Sequence, residues 1–272
     1  MTRVSKLEPK MAKLRSVLSR YRGLAVAFSG GVDSSFLLAM ACRVMGEHVL
    51  AVTAESAVHP QRERGTAAEF AKSLGVRHII VSSGEMNLPD FVANPRDRCY
   101  ICKRHVLKKI ITIASKGGIL HVAHGANVDD LGDYRPGYKA AQELGVVAPL
   151  VDAGFTKNDI RQCSREMNLT TWDKPSMACL ASRIPYGTPI THGALEMIEQ
   201  AEDYILSLGF KTCRVRHHGN IARIELGSRD IQLMLNEDLR QNIVNRLREI
   251  GFFYVTVDLE GYVQGSMNIQ LD

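Results

Sequence analysis

The run Ser29-Gly30-Gly31-Val32-Asp33-Ser34-Ser35 brings together the groups that a polyphosphate needs. Two glycines let the backbone approach a ligand closely, and a helix starting there would offer unpaired N–H groups to an anion. Ser34 and Ser35 add hydroxyl donors, and Asp33 could hold Mg2+ between phosphates. The plainer alternative is a tight strand-to-helix turn with Asp33 as its N-cap. Neither a Gly-Lys-Ser/Thr loop nor a GxGxxG fingerprint occurs at this position.

A second chemical group is formed by cysteines. Cys99 and Cys102 make a CxxC just ahead of an expected helix, and Cys179 sits in Cys179-Leu180-Ala181-Ser182-Arg183. Cys42, Cys163 and Cys213 fall among apolar neighbours and read as core residues. A thioredoxin-like redox pair is disfavoured because this CxxC does not follow the first strand. A structural zinc would want four protein ligands, and no second CxxC or close histidine pair is present. There remain three thiolates, Cys99, Cys102 and Cys179, on an iron–sulfur cluster with one iron left open. The bland alternative also stands: two loop cysteines and an unrelated third.

These residues need elements to position them. Strands are expected at 24–28, 48–56, 78–83 and 121–127, alternating with helices at 34–46, near 60–75 and near 103–116. That alternation predicts an α/β fold with a parallel sheet covered on both faces. Ligands in such sheets sit beyond the carboxyl ends of the strands, where the glycine loop falls. The stretch 171–192 holds three prolines and reads as a long active-site loop or linker. From 193 the pattern restarts as a small α+β unit: a helix stopped by Gly209, a hairpin over 213–226 turning at Gly219-Asn220, a helix over 229–250 and a strand over 252–261. This αββαβ order predicts a mostly antiparallel sheet. The expected domains are therefore 1–170, with 171–192 as the connecting loop, and 193–272. Arg214 and Arg216 occupy alternate strand positions and so share a face, where guanidinium groups suit a phosphate. His121, His124, His217 and His218 read as structural.

SGGVDSS resembles the pyrophosphate loop of the ATP pyrophosphatases, the adenine nucleotide alpha hydrolase-like (PP-loop) family that includes GMP synthetase, NAD synthetase and the tRNA thiolases. The resemblance implies cleavage of ATP between its α and β phosphates, leaving AMP on a substrate oxygen. In that setting Thr53 falls where the family contacts adenine, and Gly125 and Asn127 should border the same pocket. Further segments narrow the likeness: RCYICK (98–103), HGANVDD (124–130), DYRPG (133–137), KPSMACLASRIPYG (174–187) and DLEGYVQGSMN (258–268). Together they resemble the LarE-type sulfur insertases of nickel-pincer cofactor biosynthesis over nearly the whole chain. That branch adenylates a pyridinium-3,5-biscarboxylic acid mononucleotide with ATP and Mg2+, then replaces AMP by sulfur to give thiocarboxylates. Some of its members sacrifice one cysteine as the sulfur donor, whereas others carry three cysteines and a [4Fe-4S] cluster bearing an extra sulfide. The CxxC plus Cys179 resembles the cluster type, while Cys179 as a sacrificial donor stays open. By the same likeness Ser182 and Arg183 face the substrate, Glu202 and Asp230 are acidic partners at the surface of Arg214 and Arg216, and Arg135 is a candidate for the ATP phosphates or the adenylate. Rings of subunits in this branch imply a homo-oligomer, a hexamer among the forms.

Composition narrows the alternatives. The 272 residues are 45% hydrophobic and 23% charged, which excludes a disordered or fibrous chain. No long apolar run predicts a membrane span, and six cysteines are too sparse for a disulfide scaffold, so the expectation is a cytoplasmic protein without a membrane partner. A net charge of +5 is weak for gripping tRNA, which argues against the cluster-dependent tRNA thiolases and against nucleic acid as a partner. A mere iron–sulfur or zinc carrier would have no use for the intact SGGVDSS. The expected partners are the pyridinium dicarboxylate mononucleotide and a source of sulfide.

Overall fold

The structure, a computed structural model, describes residues 4–132, 136–175 and 179–263. The chain divides into two compact units. The first comprises Met1–Ser56, Gln61–Leu88 and Asp97–Met177; the second comprises Ala57–Pro60, Pro89–Arg96 and Ala178–Asp272.

In the first unit α1 (Val4–Leu18) leads into β1 (Leu24–Ala27), α2 (Val32–Met45), β2 (Val49–Glu55), α3 (Arg64–Ser73) and β3 (Arg77–Ser82). The four-strand sheet has the order β3-β2-β1-β4, with β4 at His121–His124, and every pairing is parallel. β1 is the apolar run LAVA, with its first three residues buried and β2 and β4 on either side. A strand so enclosed must be apolar on both faces. α2 packs its middle, Phe36 to Ala41, into one core layer with Leu14, Leu18, Phe155 and Ile160. The other layer joins Leu50 and Val52 to Leu107, Ile110 and Ala114. The latter three lie on α5 (Arg98–Lys116). This helix starts earlier than the sequence pattern suggested, so Cys99 and Cys102 sit inside its first turns rather than ahead of it. Two further short helices, α6 (Pro136–Glu143) and α7 (Pro149–Asp152), precede α8 (Lys157–Glu166). α8 starts at a reciprocal cap: Thr156 accepts from the Asp159 N–H, and Asp159 accepts from the Thr156 N–H. None of the described helices is long and apolar enough to cross a membrane.

The second unit takes the short α4 (Pro89–Val92), then α9 (His192–Ser207), β5 (Cys213–His218), β6 (Ile221–Leu226), α10 (Glu237–Ile250) and β7 (Tyr254–Val257). The hairpin turns at Gly219, whose φ of +63° suits a residue without a Cβ. β5 and β6 pair antiparallel, but β6 and β7 pair parallel. The sheet is thus evenly mixed rather than mostly antiparallel, because α10 carries the chain back to the end from which β6 began. Its core gathers Ile205, Phe210, Val215, Ile224, Leu247 and Phe252.

Candidate active site

At the carboxyl end of β1 the chain turns into α2 through the glycine loop. The N-cap is Gly31, with φ −79° and ψ 163°, and no side chain caps the helix. Asp33 is therefore not the N-cap, and the first N–H groups of α2 stay open toward a cavity of about 430 Å3. Such N–H groups and the dipole of a 14-residue helix favour an anion. Hydroxyls brace the loop: Ser29 and Ser34 Oγ lie 3.1 Å apart, and Ser34 Oγ donates to Gly31 O at 3.1 Å. Ser29, Gly31, Asp33 and Ser34 line the cavity. Gly30 and Ser35 stand behind them; Gly30 takes φ +73°, and the Ser35 hydroxyl is buried without a partner among the described residues. From the other side Gly125 follows β4 so closely that a Cβ there would fall 2.8 Å from Ser34 N. Glycine is what lets β4 and the head of α2 share one wall.

Asp33 is the acidic centre. Its Oδ2 pairs with Lys157 Nζ at the start of α8, and Asn127 Nδ2 lies 3.5 Å from its Oδ1. Burial pushes the Asp33 carboxyl above the usual carboxylate range, against the pull of Lys157. Asn127 itself is nearly buried, and its side chain accepts from the Asp129 N–H at 3.0 Å, while Asp130 accepts from the Asn127 N–H at 3.0 Å. A lysine ammonium thus already stands as a cation on the Asp33 carboxylate, where the sequence led us to expect Mg2+. Hard carboxylate and phosphate oxygens fit that ion.

The facing wall comes from α5, β4 and α6. Cys99, Lys103, His124, Pro136, Gly137 and Tyr138 line it. Cys99 is exposed and Cys102 half-exposed, and their i, i+3 spacing puts both thiols on one helix face. Soft thiolates in this spacing suit an iron–sulfur cluster. Among the described residues no group of three or more His, Cys, Asp or Glu side chains gathers as a metal site. Burial, reinforced by the charge of Lys103, pushes the His124 imidazole down to about 3. Burial also lowers the Lys103 ammonium. Thr53 is engaged within the sheet: its hydroxyl donates to Phe28 O at 2.8 Å and lies 2.8 Å from His78 Nε2. Arg135 lies outside the described residues.

Sequence reasoning gave no role to Lys157, Lys103 or Lys174, and it read His124 as structural. The reciprocal cap of α8 could have pointed to Lys157. Lys174 was within KPSMACLASR, and its Nζ reaches Gly30 O at 3.3 Å and Thr66 Oγ1 at 3.0 Å.

The second unit holds the remaining candidates. Arg183 is 1% exposed and grips Glu202 in a fork, Nε to Oε1 at 2.8 Å and Nη2 to Oε2 at 3.0 Å. The same guanidinium donates to Cys179 O and Ser182 Oγ, each at 3.0 Å. Glu202, 0% exposed, also accepts from Val215 N. Arg216 forks onto buried Glu225 at 2.8 and 2.6 Å and donates to Ser182 O at 3.0 Å. Arg183, Glu202 and Arg216 are therefore interior groups that clamp the Cys179–Ser182 turn, and Glu202 does not stand at a surface. Arg214 differs. It donates to Cys213 O at 2.7 Å and lies over the Tyr262 ring, with no carboxylate partner among the described residues. Burial and the nearby Arg183 charge lower its pKa, an imbalance that an anion would relieve. Asp230 caps the turn that follows β6, with its N–H on Gly227 O at 2.7 Å.

Residues 15–100 match the asparagine synthase family. The chain is 38% identical over 263 residues to the pyridinium-3,5-bisthiocarboxylic acid mononucleotide synthase of Lactiplantibacillus plantarum, covering 96% of this chain and 95% of that protein. An uncharacterised protein of Synechocystis sp. is 39% identical over 262 residues, covering 96% and 98%. The ammonia-dependent NAD synthetase of Methanoregula boonei is 34% identical over 83 residues, covering only 28% and 34%.

Proposed function

Since the chain belongs to the pyridinium-3,5-bisthiocarboxylic acid mononucleotide synthase family, we propose that it is an ATP-dependent sulfur transferase that adenylates the carboxylates of pyridinium-3,5-biscarboxylic acid mononucleotide and replaces AMP by sulfur. One observation carries this reading: the open head of α2, Asp33 and Cys99 border a single cavity. Phosphate activation and thiol chemistry then need no separate sites.

ATP would lay its phosphates on the N–H groups and hydroxyls of Ser29, Gly31 and Ser34, with Gly30 and Ser35 shaping the loop behind them and Thr53, Gly125 and Asn127 bordering the nucleotide. Asp33 would hold Mg2+, which supplies charge neutralisation between the phosphates. Lys157, released from Asp33, is then free to neutralise phosphate oxygens. A substrate carboxylate oxygen bonds to the α-phosphorus as the bond to the bridging oxygen breaks, and pyrophosphate leaves with the electron pair. Stabilising that developing charge by preorganised donors is where this loop contributes most. Sulfur then bonds to the acyl carbon, the bond to the AMP oxygen breaks, and a thiocarboxylate results. A second round converts the other carboxyl.

Arg214, which lacks a carboxylate partner among the described residues, is proposed to receive the substrate phosphate, with Arg216 and Glu202, each closed in a buried pair, holding the turn beside it and Asp230 as an acidic neighbour. Ser182 and Arg183 are proposed to set Cys179 toward the acyl group. Cys99, Cys102 and Cys179 would hold a [4Fe-4S] cluster, which when bound supplies sulfide at an iron without a protein ligand; Cys179 as a sacrificial donor is the competing route. A cytoplasmic homo-oligomer, with 1–170 as the ATP domain and 193–272 as the substrate domain, completes the proposal. The test is anaerobic incubation with Mg–ATP, sulfide and either the pyridinium biscarboxylate mononucleotide or bulk tRNA. AMP, pyrophosphate and one oxygen-to-sulfur mass exchange per carboxyl are expected. ADP release, or sulfur in tRNA alone, would overturn it.

A further inference from the structure

The cavity has two walls, and they differ in how far their polar groups are already satisfied. On the loop side Ser29, Ser34 and Asp33 all have partners. On the other side His124 is 6% exposed, and its Nε2 has no hydrogen-bond partner among the described residues. Lys103, on the same wall, makes no hydrogen bond or ion pair among the described residues. A buried polar nitrogen without a partner keeps the full penalty of leaving water. The β4 ladder is made by backbone groups, and the ring contact of His124 with Tyr138, at 5.8 Å, gives Nε2 no hydrogen-bond partner. A ligand that supplied one anionic oxygen to both nitrogens would remove the cost.

We propose that His124, together with Lys103, forms a carboxylate subsite, in which the His124 Nε2–H donates to the carboxyl group about to be adenylated and Lys103 supplies the countercharge. This deepens the function proposed above and rests on it for the identity of the substrate. The chemistry favours a donor over a base. An imidazole held neutral by its surroundings keeps one N–H at neutral pH and has little tendency to take up a proton. The neutral Nε2–H fixes which carboxylate oxygen is held, while Lys103 offsets the charge of the group. The position also makes chemical sense: α-phosphorus on the loop wall and carboxylate on the opposite wall face each other across one cavity. The subsite stands beside Cys99, so the acyl carbon would already be near a thiol. A pyridinium carrying a carboxamide in place of the carboxylate would leave Lys103 without its countercharge, so the subsite also sets specificity.

The test compares His124→Leu and His124→Gln with the parent protein, using the biscarboxylate mononucleotide as substrate and nicotinamide mononucleotide as the control without a carboxylate. His124→Leu should raise KM for the biscarboxylate about ten- to a hundredfold, the scale of one hydrogen bond to a charged group, and leave ATP affinity within about twofold. His124→Gln, which keeps an N–H donor, should recover most of that loss. The carboxamide control should bind poorly to all three. A readout free of turnover is the 15N resonance of the His124 imidazole during titration with pyridine-3,5-dicarboxylate, which should shift in the parent. If the parent forms no AMP from the biscarboxylate, the proposed function falls, while the titration still decides the subsite. An unchanged KM in His124→Leu, equal damage from Leu and Gln, or an imidazole unmoved by the dicarboxylate would overturn the inference.

Discussion

The buried arginine–glutamate pairs of the second unit and the cavity groups of the first treat charge in opposite ways. In the second, Arg183 and Glu202 are 1% and 0% exposed and Arg216 and Glu225 are 5% and 0% exposed, each pair closed by two hydrogen bonds. In the first, Asp33 and Lys157 remain 22% and 32% exposed in their side chains, and Lys103 and His124 Nε2 have no hydrogen-bond partners among the described residues. Completed buried pairs hold geometry: here they fix the carbonyls of Cys179 and Ser182. Incomplete ones are poised to exchange partners with a ligand. The contrast teaches that abundance of charge alone does not mark a site.

The largest expected effect tests the completed pairs. Glu202→Ala leaves Arg183 buried without its counter-charge, and should cost about 3–5 kcal/mol of stability, read by denaturant unfolding. A cost under about 1 kcal/mol would mean that water reaches Arg183 and that the contrast is false. Asp33→Asn should lower AMP formation by about a hundred- to a thousandfold, the scale of losing one preorganised electrostatic group. Its unfolding midpoint should barely move, since burial already opposes the charge. Activity kept in that variant would place the metal elsewhere.

Acid should separate His124 from the rest. The unfolded imidazole takes its proton near 6.5, whereas the folded one waits until about 3. Between these values the unfolded state binds more protons, so stability falls as pH falls. From pH 7 to pH 4 this amounts to roughly 3 kcal/mol, and His124→Gln should remove that share, seen in unfolding free energies at the two pH values. A variant with the parent's acid sensitivity would contradict the burial of this group. The smallest effect lies at the rim: Lys10→Met breaks the 2.6 Å pair with Asp159, whose side chains are 33% and 18% exposed, and should cost about 0.2–1 kcal/mol by thermal unfolding.

Much of the first unit was legible because its signals are local. β1 is an apolar run set between Gly23 and Gly30, β2 opens as the apolar run VLAV, and SGGVDSS carries its chemistry within seven neighbours. The start of α5 was missed because Arg98 and Cys99 give no capping signal, and Asp97 makes no side-chain cap. Parallel pairing of β7 was missed because a hairpin's alternation says nothing of where the next helix delivers the chain. Within the site, Asp33 could be named from its loop, but Lys157 meets it only through folding, 124 positions later. Arg183, Glu202 and Arg216 were visible as charges, while their burial is set by partners distant in sequence. His124 looked structural for the same reason: no sequence pattern reports an unsatisfied nitrogen.

The central claim is that the cavity at the head of α2 activates a carboxylate for replacement by sulfur. Its most direct measurement is mass spectrometry of the pyridinium biscarboxylate mononucleotide after anaerobic incubation with the protein, Mg–ATP labelled at the α-phosphate, and sulfide. The account predicts labelled AMP in step with thiocarboxylate, both absent in Asp33→Asn. Thiocarboxylate formed without AMP, or AMP formed with the carboxylates left intact, would contradict it.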